Sequence, residues 1–380
     1  MTSAKRIAIV GAGVAGMALA IFATRQGHQV SLFERGSAVS SMGAGVTLWP
    51  NAVFVMEQME LGDAIKREGG APRFMRQFDQ HGIQKAEFDI LEVNRLCGFP
   101  SVTILRRDLM RILAGALHAL GVDIKFNHTI AAQDIEGLRT QYDLVVGADG
   151  RMNSAVRQAI HAEDVLPRYQ DFINIIGISQ PGRGVIDAAI HDFCGAGERF
   201  GIVPVGDGLC FWAAAWRTPV DRTRPLPVWY DEMDQRFRDW PGPVRNVLQS
   251  RDETSLNRIF VHDLDPLPHW HRDNVLIIGD AAHAPLPTSG QGACQALEDA
   301  WHLSRMLEEH DRLETALSRF YETRISALKA KSNAPCSSSS VSRSAMRYSM
   351  AASFVSARAR SIMFCETSRP RTLCAPASRR

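Results

Sequence analysis

Gly11, Gly13 and Gly16 stand in the spacing GxGxxG within "KRIAIVGAGVAGMALAIFATRQGHQVSLFER", and Glu34 closes the apolar run that follows. Each glycine has its own use. Gly11 permits a tight turn, Gly13 lets a pyrophosphate approach the backbone, and Gly16 lets a helix lie close on a strand. The helix N-terminus then offers N–H donors and a positive partial charge. Glu34 can accept hydrogen bonds from both hydroxyls of a ribose and would repel a 2′-phosphate, so the pattern suits FAD or NAD rather than NADP. A second group lies in "IIGDAAHAPLPTSGQGACQALEDA" (277–300), where Gly279-Asp280 ends an apolar strand. A small-residue stretch with Pro287, Gly290, Gln291 and Gly292 then leads to a helix predicted over Cys294–Leu307. A charged acceptor at the carboxyl end of such a strand faces the ligand crevice of an α/β sheet.

The elements that must position these residues are legible as patterns. Ile7–Val10 reads as a buried strand, Met17–Arg25 as a small-residue helix ended by Gly27, and Val30–Phe33 as the next parallel strand, a βαβ unit. A second αβ pattern has a helix at Asp108–Leu120, a stop at Gly121 and a strand at Val122–Phe126. "YDLVVGADG" (142–150) is a further buried strand ending in Asp149-Gly150, and Val275–Ile278 is another. Arg73–Phe88 and Phe172–Trp216 alternate and carry Gly and Pro turns, as a separate antiparallel sheet would. Pro219–Ser250 is Pro- and Trp-rich, with a helix near Trp229–Arg238. There are no internal repeats.

Composition narrows the class. Hydrophobic residues at 45% and charged residues at 22% are those of an ordinary globular chain. No apolar run approaches the ~20 residues of a membrane span. Lys5 and Arg6 lead at once into a strand with no cleavage-site pattern, so no signal peptide is expected. Seven cysteines without CxxC or paired spacing fit a reducing, cytoplasmic setting and argue against structural zinc; no metal is expected. Asn333–Arg380 holds eight Arg, no Lys and one acid (Glu366), a charge of +7, which leaves −5 for the rest of a chain of net charge +2. A slightly acidic body gives no reason to expect nucleic acid as a partner. The segment is Ser/Arg-rich and reads either as a disordered basic tail or as out-of-frame translation, which resequencing the gene would decide.

Four motifs occur in order: GAGVAG (11–16) with Glu34-Arg35, "RRDLMRIL" (106–113), "DLVVGADGRMNSAVR" (143–157) and "GDAAHAPLPTSGQGACQALEDA" (279–300). Together they resemble the FAD-dependent aromatic hydroxylases, the single-component (group A) flavoprotein monooxygenases of the p-hydroxybenzoate hydroxylase type. The resemblance runs from Arg6 to Arg324. "GAGVTLWPNAV" (43–53) and "ERFGIVPV" (198–205) bring it nearer the salicylate hydroxylase, urate hydroxylase and zeaxanthin epoxidase branch.

The resemblance implies an α/β fold: a Rossmann-like, glutathione-reductase-type FAD-binding domain with an inserted antiparallel β-sheet substrate domain. Residues 1–72, 101–170 and 271–331 would form the first, 73–100 and 171–270 the second, and 332–380 an atypical tail. It implies that Glu34, with Arg35 beside it, binds the FAD adenosine ribose. Arg106 would reach the phosphate and ribitol region, and Asp149-Gly150 would serve the pyrophosphate and NAD(P)H handling. Gly279-Asp280 would hold the ribitol hydroxyls, and Gly290, Gln291 and Gly292 would approach the isoalloxazine, where backbone N–H groups stabilise negative charge. Pro287 would shape the substrate side of the flavin, and His283 would support the loop. Arg199 matches an arginine near flavin and substrate in urate-hydroxylase-like relatives; a surface salt bridge is the bland alternative. Those relatives carry a tyrosine near Phe211, so urate is less favoured here. Phe211 and Trp49 are candidate pocket walls, with core packing as the alternative.

The implied reaction uses NAD(P)H and O₂ to hydroxylate a small aromatic or heteroaromatic substrate through a flavin C4a-hydroperoxide. A base that deprotonates a phenol would help, and the sequence names none. No second GxGxxG site is present, so NADH versus NADPH stays open, as does monomer versus homodimer. Halogenases are disfavoured, because Trp212 and Trp216 are four apart and no WxWxIP segment occurs. An epoxidase or another flavin-dependent oxidoreductase on a non-aromatic substrate remains an alternative. So does an inactive chain whose aberrant C-terminus follows Tyr321–Arg324.

Overall fold

A computed structural model describes residues 3–40, 43–161, 165–182, 186–287 and 290–332, with side chains to 326. The Ser/Arg-rich segment from Asn333, with both readings of it, lies outside the described residues, as do Thr288 and Ser289. In chain order the strands are β1 (Arg6–Val10), β2 (Gln29–Phe33), β3 (Gly45–Leu48), β4 (Phe74–Asp79), β5 (Gln84–Asp89), β6 (Val102–Leu105), β7 (Ile124–Lys125) and β8 (Leu144–Gly147). They continue with β9 (Arg168–Ser179), β10 (Ala189–Cys194), β11 (Glu198–Gly206), β12 (Leu209–Arg217), β13 (Asn257–Asp263), β14 (His271–Arg272) and β15 (Val275–Ile277). The helices are α1 (Val14–Arg25), α2 (Pro50–Gln58), α3 (Gly62–Glu68), α4 (Ile90–Cys97), α5 (Arg106–Ala119) and α6 (Ile135–Gln141). After them come α7 (Ala155–Ile160), α8 (Leu226–Phe237), α9 (Gly242–Gln249), α10 (Asp280–His283), α11 (Gly292–Glu309) and α12 (Leu313–Ser332).

The first sheet has the order β14-β15-β8-β1-β2-β7, parallel except where β14 joins β15. Ile7, Ala8 and Ile9 of β1 are completely buried, as expected of a parallel strand covered on both faces. The buried Ala15, Ala18, Ala20 and Ala23 let α1 pack closely against α11 and α5. This helix starts at Val14, three residues before the predicted start, because extended Gly13 already serves as its N-cap. The predicted strand Val122–Phe126 shrinks to the two residues of β7.

The second sheet has the order β13-β9-β12-β11-β10-β4-β5. It is antiparallel apart from the β4–β10 pair, and its strands come from the two alternating stretches of the sequence and from β13. Alternation divides its faces. Ile173, Ile175, Phe200, Ile202, Trp212 and Trp216 pack with Trp229, Met233 and Phe237 of α8 and with Val244 and Val247 of α9 in one core. Arg199, Gly201, Val203, Phe211, Ala213 and Ala215 therefore point away from α8 and α9. That face turns toward the first sheet's half. A Cβ on Gly45 of β3 would lie 2.2 Å from the Phe211 ring, so the ring rests directly on that glycine. Thr103 of β6 also donates from Oγ1 to Pro204 O of β11 at 2.5 Å. The antiparallel pair β3–β6 thus joins the two halves.

Candidate active site

Four loops follow the carboxyl ends of neighbouring parallel strands: Gly11 after β1, Glu34 after β2, Ala148-Asp149-Gly150 after β8 and Gly279-Asp280 after β15. The sheet order brings them to one edge. Gly11 has φ +105°, and a Cβ there would sit 2.4 Å from Ala148 O. A Cβ on Gly16 would sit 2.0 Å from Gly11 O. These two glycines are demanded by packing. Gly13 differs, because a Cβ there would meet nothing within 4 Å. Glu34 faces the same loop. Its Oε2 accepts from Ala12 N at 2.9 Å and its Oε1 from Gly36 N at 2.8 Å, and each oxygen keeps acceptor capacity for a ligand. Arg35 is exposed beside it.

Arg106 begins α5, and its side chain passes over Gly43, where a Cβ would lie 2.6 Å from Arg106 Cδ. Its Nε is buried with no hydrogen-bond partner among the described residues. Burial pulls its pKa down, partly opposed by the Asp280 carboxylate. Asp280 is paired with Arg151, whose Nη2 lies 3.0 Å from Oδ2. Arg151 also donates to His262 O of β13 at 3.2 Å. Nothing in "DGR" marks Arg151 as a residue that reaches a strand end some 130 residues on.

Asp149 is turned inward. It accepts from Ser154 Oγ at 2.6 Å and Val156 N at 3.2 Å, which closes the start of α7. Burial pushes its pKa up. Arg157, 1% exposed, donates to Arg151 O at 2.6 Å and Ala281 O at 3.0 Å, tying the Asp149-Gly150 loop to the Gly279-Asp280 loop.

Beyond Gly279 the chain forms the short helix α10 at once, and α11 starts at Gly292, two residues before the predicted start. A buried polar cluster holds this region. Gly279, with φ +59°, donates its N–H to Asp299 Oδ2 at 2.7 Å. His283 Nε2 meets the same oxygen at 2.5 Å. Arg324 of α12 donates from Nε to Asp299 Oδ1 at 2.6 Å and from Nη1 to Glu298 Oε2 at 2.7 Å. Asn51 of α2 donates to Glu298 Oε1 at 2.8 Å. Burial acts to raise the Asp299 pKa, but His283 and Arg324 more than reverse it and hold it well below the usual range. In the sequence Asp299 and Arg324 carry no local mark of this pairing beyond charge on a largely apolar buried helix face.

Gly290, with φ +61°, donates its N–H to Pro287 O at 3.0 Å, and Gln291 is 3% exposed. Trp49 is 4% exposed, and a Cβ on Gly290 would lie 3.6 Å from its Nε1. Trp49 is thus part of the core beneath the Gly290 loop. On the facing sheet Arg199 Nε donates to Asp192 Oδ1 at 2.6 Å. Burial acts to lower the Arg199 pKa, Asp192 to raise it, and the net direction is up, so the guanidinium stays charged. No hydrogen bond joins Arg199 to the strand-end loops among the described residues. Phe211 packs with Ala44, Leu105 and Ile178 between the halves.

The strand-end edge brings together glycine-rich loops, the carboxylates of Glu34 and Asp280, and Arg106 with an unmet donor. Comparison with known proteins adds to this. The family model described as FAD binding domain matches residues 5–324. The Aurachin C monooxygenase/isomerase of Stigmatella aurantiaca is 29% identical over 343 residues, covering 86% of this chain and 86% of that protein. The FAD-dependent urate hydroxylase of Klebsiella oxytoca is 27% identical over 335 residues, covering 82% and 84%. The solved structure of Klebsiella pneumoniae HpxO with FAD and uric acid shares the fold, with a TM-score of 0.76 at 22% identity over 94% of this chain and 92% of that one.

Proposed function

We propose an activity for this chain from the premise that it belongs to the FAD binding domain family. It is a FAD-dependent monooxygenase that uses NAD(P)H and O₂ to hydroxylate a small aromatic or heteroaromatic compound. One observation carries the reading to these residues: the buried Arg106 Nε without a partner among the described residues, beside Asp280. A buried cation needs an anion. The pyrophosphate of a dinucleotide supplies one, and the donor set fits the rest of such a molecule.

Glu34 would hold the adenosine ribose, Arg106 the pyrophosphate and ribitol region, Asp280 the ribitol hydroxyls, and the Gly290–Gly292 backbone the ring edge. The N-terminus of α11 at Gly292 favours negative charge there. Bound at this edge, FAD supplies reduction by NAD(P)H and activation of O₂, chemistry that no side chain has. Arg151 fixes the direction of the Asp280 carboxylate, and Arg157 holds the two loops in register. The facing sheet, with Arg199, Gly201, Ala213 and Ala215, closes the other side, orients the substrate ring and keeps water out. No observation favours an alkene over an aromatic ring.

The test is direct. The purified chain should show yellow flavin bands, alone or after added FAD, and oxidise NAD(P)H faster with a suitable aromatic compound, giving hydroxylated product. A chain that never holds flavin overturns the reading. Hydrogen peroxide as the sole product from a broad aromatic panel counts against aromatic hydroxylation.

A further inference from the structure

Arg151 stands where three segments meet, and holding Asp280 accounts for only one of its contacts. Its Nη2 lies 3.0 Å from Asp280 Oδ2, and its Nη1 donates to His262 O at 3.2 Å. Its own carbonyl accepts from Arg157 Nη2 at 2.6 Å, so the backbone that carries the side chain is held by the buried arginine of α7. One guanidinium therefore spans from the cofactor edge of the first sheet to β13 of the second.

The place on β13 gives this contact its reach. The strand lies at one edge of the second sheet, with β9 and then β12 beside it, and β12 carries Phe211, Ala213 and Ala215. Its pairing with β9 shifts register between Phe260 and His262, so the ladder is irregular where Arg151 docks. Such an irregularity interrupts the pairing that would otherwise hold the strand end. Two residues on, Leu264 donates its N–H to Ala284 O at 3.3 Å, immediately after α10. The end of β13 is thus tied twice to the segment that opens with Asp280, once through the Arg151 side chain and once through backbone.

We infer that Arg151 is a positioning residue that couples cofactor occupancy to the second sheet: FAD held at Asp280 fixes the Arg151 guanidinium and, through it, the end of β13. Without cofactor the Arg151 and Asp280 side chains are 29% and 33% exposed, and an ion pair bathed in water is a weak restraint. Ribitol hydroxyls laid against Asp280 exclude that water and strengthen the pair. A carboxylate accepts through two oxygens, so Asp280 can meet Arg151 through Oδ2 and the ligand through Oδ1. The position suits arginine, whose fork of donors reaches two acceptors at once, whereas a lysine ammonium is a point charge. The coupling is reciprocal, so whatever steadies the end of β13 also tightens FAD. The inference rests on the monooxygenase reading, which assigns FAD to Asp280.

The experiment follows hydrogen–deuterium exchange in a peptide covering residues 257–264, with and without saturating FAD, and reads FAD affinity by flavin fluorescence. In the wild type FAD should slow exchange there by about fivefold or more. Arg151→Met, saturated with FAD, should show no such slowing, and its FAD affinity should fall. Each chain is compared with itself, so a merely structural loosening of β13 raises both of its rates and leaves their ratio unchanged. Arg151→Lys should regain much of the FAD affinity, by restoring a charge beside Asp280, without regaining the slowing at β13. It stands in where the methionine variant does not fold or hold flavin. Exchange at β13 that ignores FAD in the wild type, or slowing that survives in the flavin-loaded variants, overturns the inference alone. A wild-type chain that holds no flavin overturns the monooxygenase reading and this inference with it.

Discussion

Arg324 and Asp299 form an ion pair whose side chains are 1% and 0% exposed, with Nε 2.6 Å from Oδ1, and the other Asp299 oxygen holds the backbone N–H of Gly279. The C-terminal helix is thereby tied to the strand end that carries Asp280. Removing Arg324 leaves Asp299 buried with only His283 and the Gly279 N–H beside it. Arg324→Ala should cost about 3–5 kcal/mol of stability, read as a shift of the denaturant midpoint. A variant as stable as the wild type would show that the pair holds nothing together.

Acid should act on the same cluster. The folded pKa of Asp299 is depressed, so its contribution to stability is present above the unfolded aspartate pKa of about 3.9 and is lost as pH falls below it. The stability gap between the wild type and Asp299→Asn should therefore be widest near neutral pH and narrow as the solution is acidified below about pH 4. Melting curves at several pH values measure it, and a gap that widens in acid contradicts the sign.

The glycine motif predicts a division of effects. Gly13→Ala adds a methyl group to open space, on a backbone with φ −81° that alanine accepts. The apoprotein should melt as the wild type does, while FAD binding weakens at least tenfold. Gly16→Ala places a methyl group 2.0 Å from Gly11 O and should destabilise the apoprotein itself. Equal stability losses in both would remove the distinction.

Asp280→Ala should weaken FAD binding by about 1.5–3 kcal/mol, the worth of a hydrogen bond to a charged group. The apoprotein should change less, because Asp280 and Arg151 are about one-third exposed and their pair is a modest stabiliser. Flavin fluorescence titration gives the affinity, and an unchanged dissociation constant would remove Asp280 from the cofactor site.

Gly45 and Phe211 supply a paired test. A methyl group at Gly45 would overlap the Phe211 ring and should cost about 1–3 kcal/mol. Combining Gly45→Ala with Phe211→Leu should recover part of that loss, since the smaller side chain clears the overlap. Strict additivity in thermal melting would mean that the two do not meet.

Local pattern was enough for the strand–glycine–helix opening, the strand ends at Gly150 and Gly279, and the family that these motifs mark. Each depends on periodicity or backbone freedom within about twenty residues, which a linear reading can see. The alternating stretches likewise announced a second sheet, because side chains on a half-covered sheet must alternate. What sequence alone did not supply is pairing at a distance. Asp192 and Arg199 meet because a hairpin register sets them diagonally across two strands. Phe211 finds Gly45 through the meeting of two sheets. Arg151 reaches Asp280, and Arg324 reaches Asp299, only after helices and strands are stacked. Local propensity fixes elements, but the burial of a charge or an amide is a property of everything packed around it, so the tertiary structure alone decides which polar groups are left for a ligand.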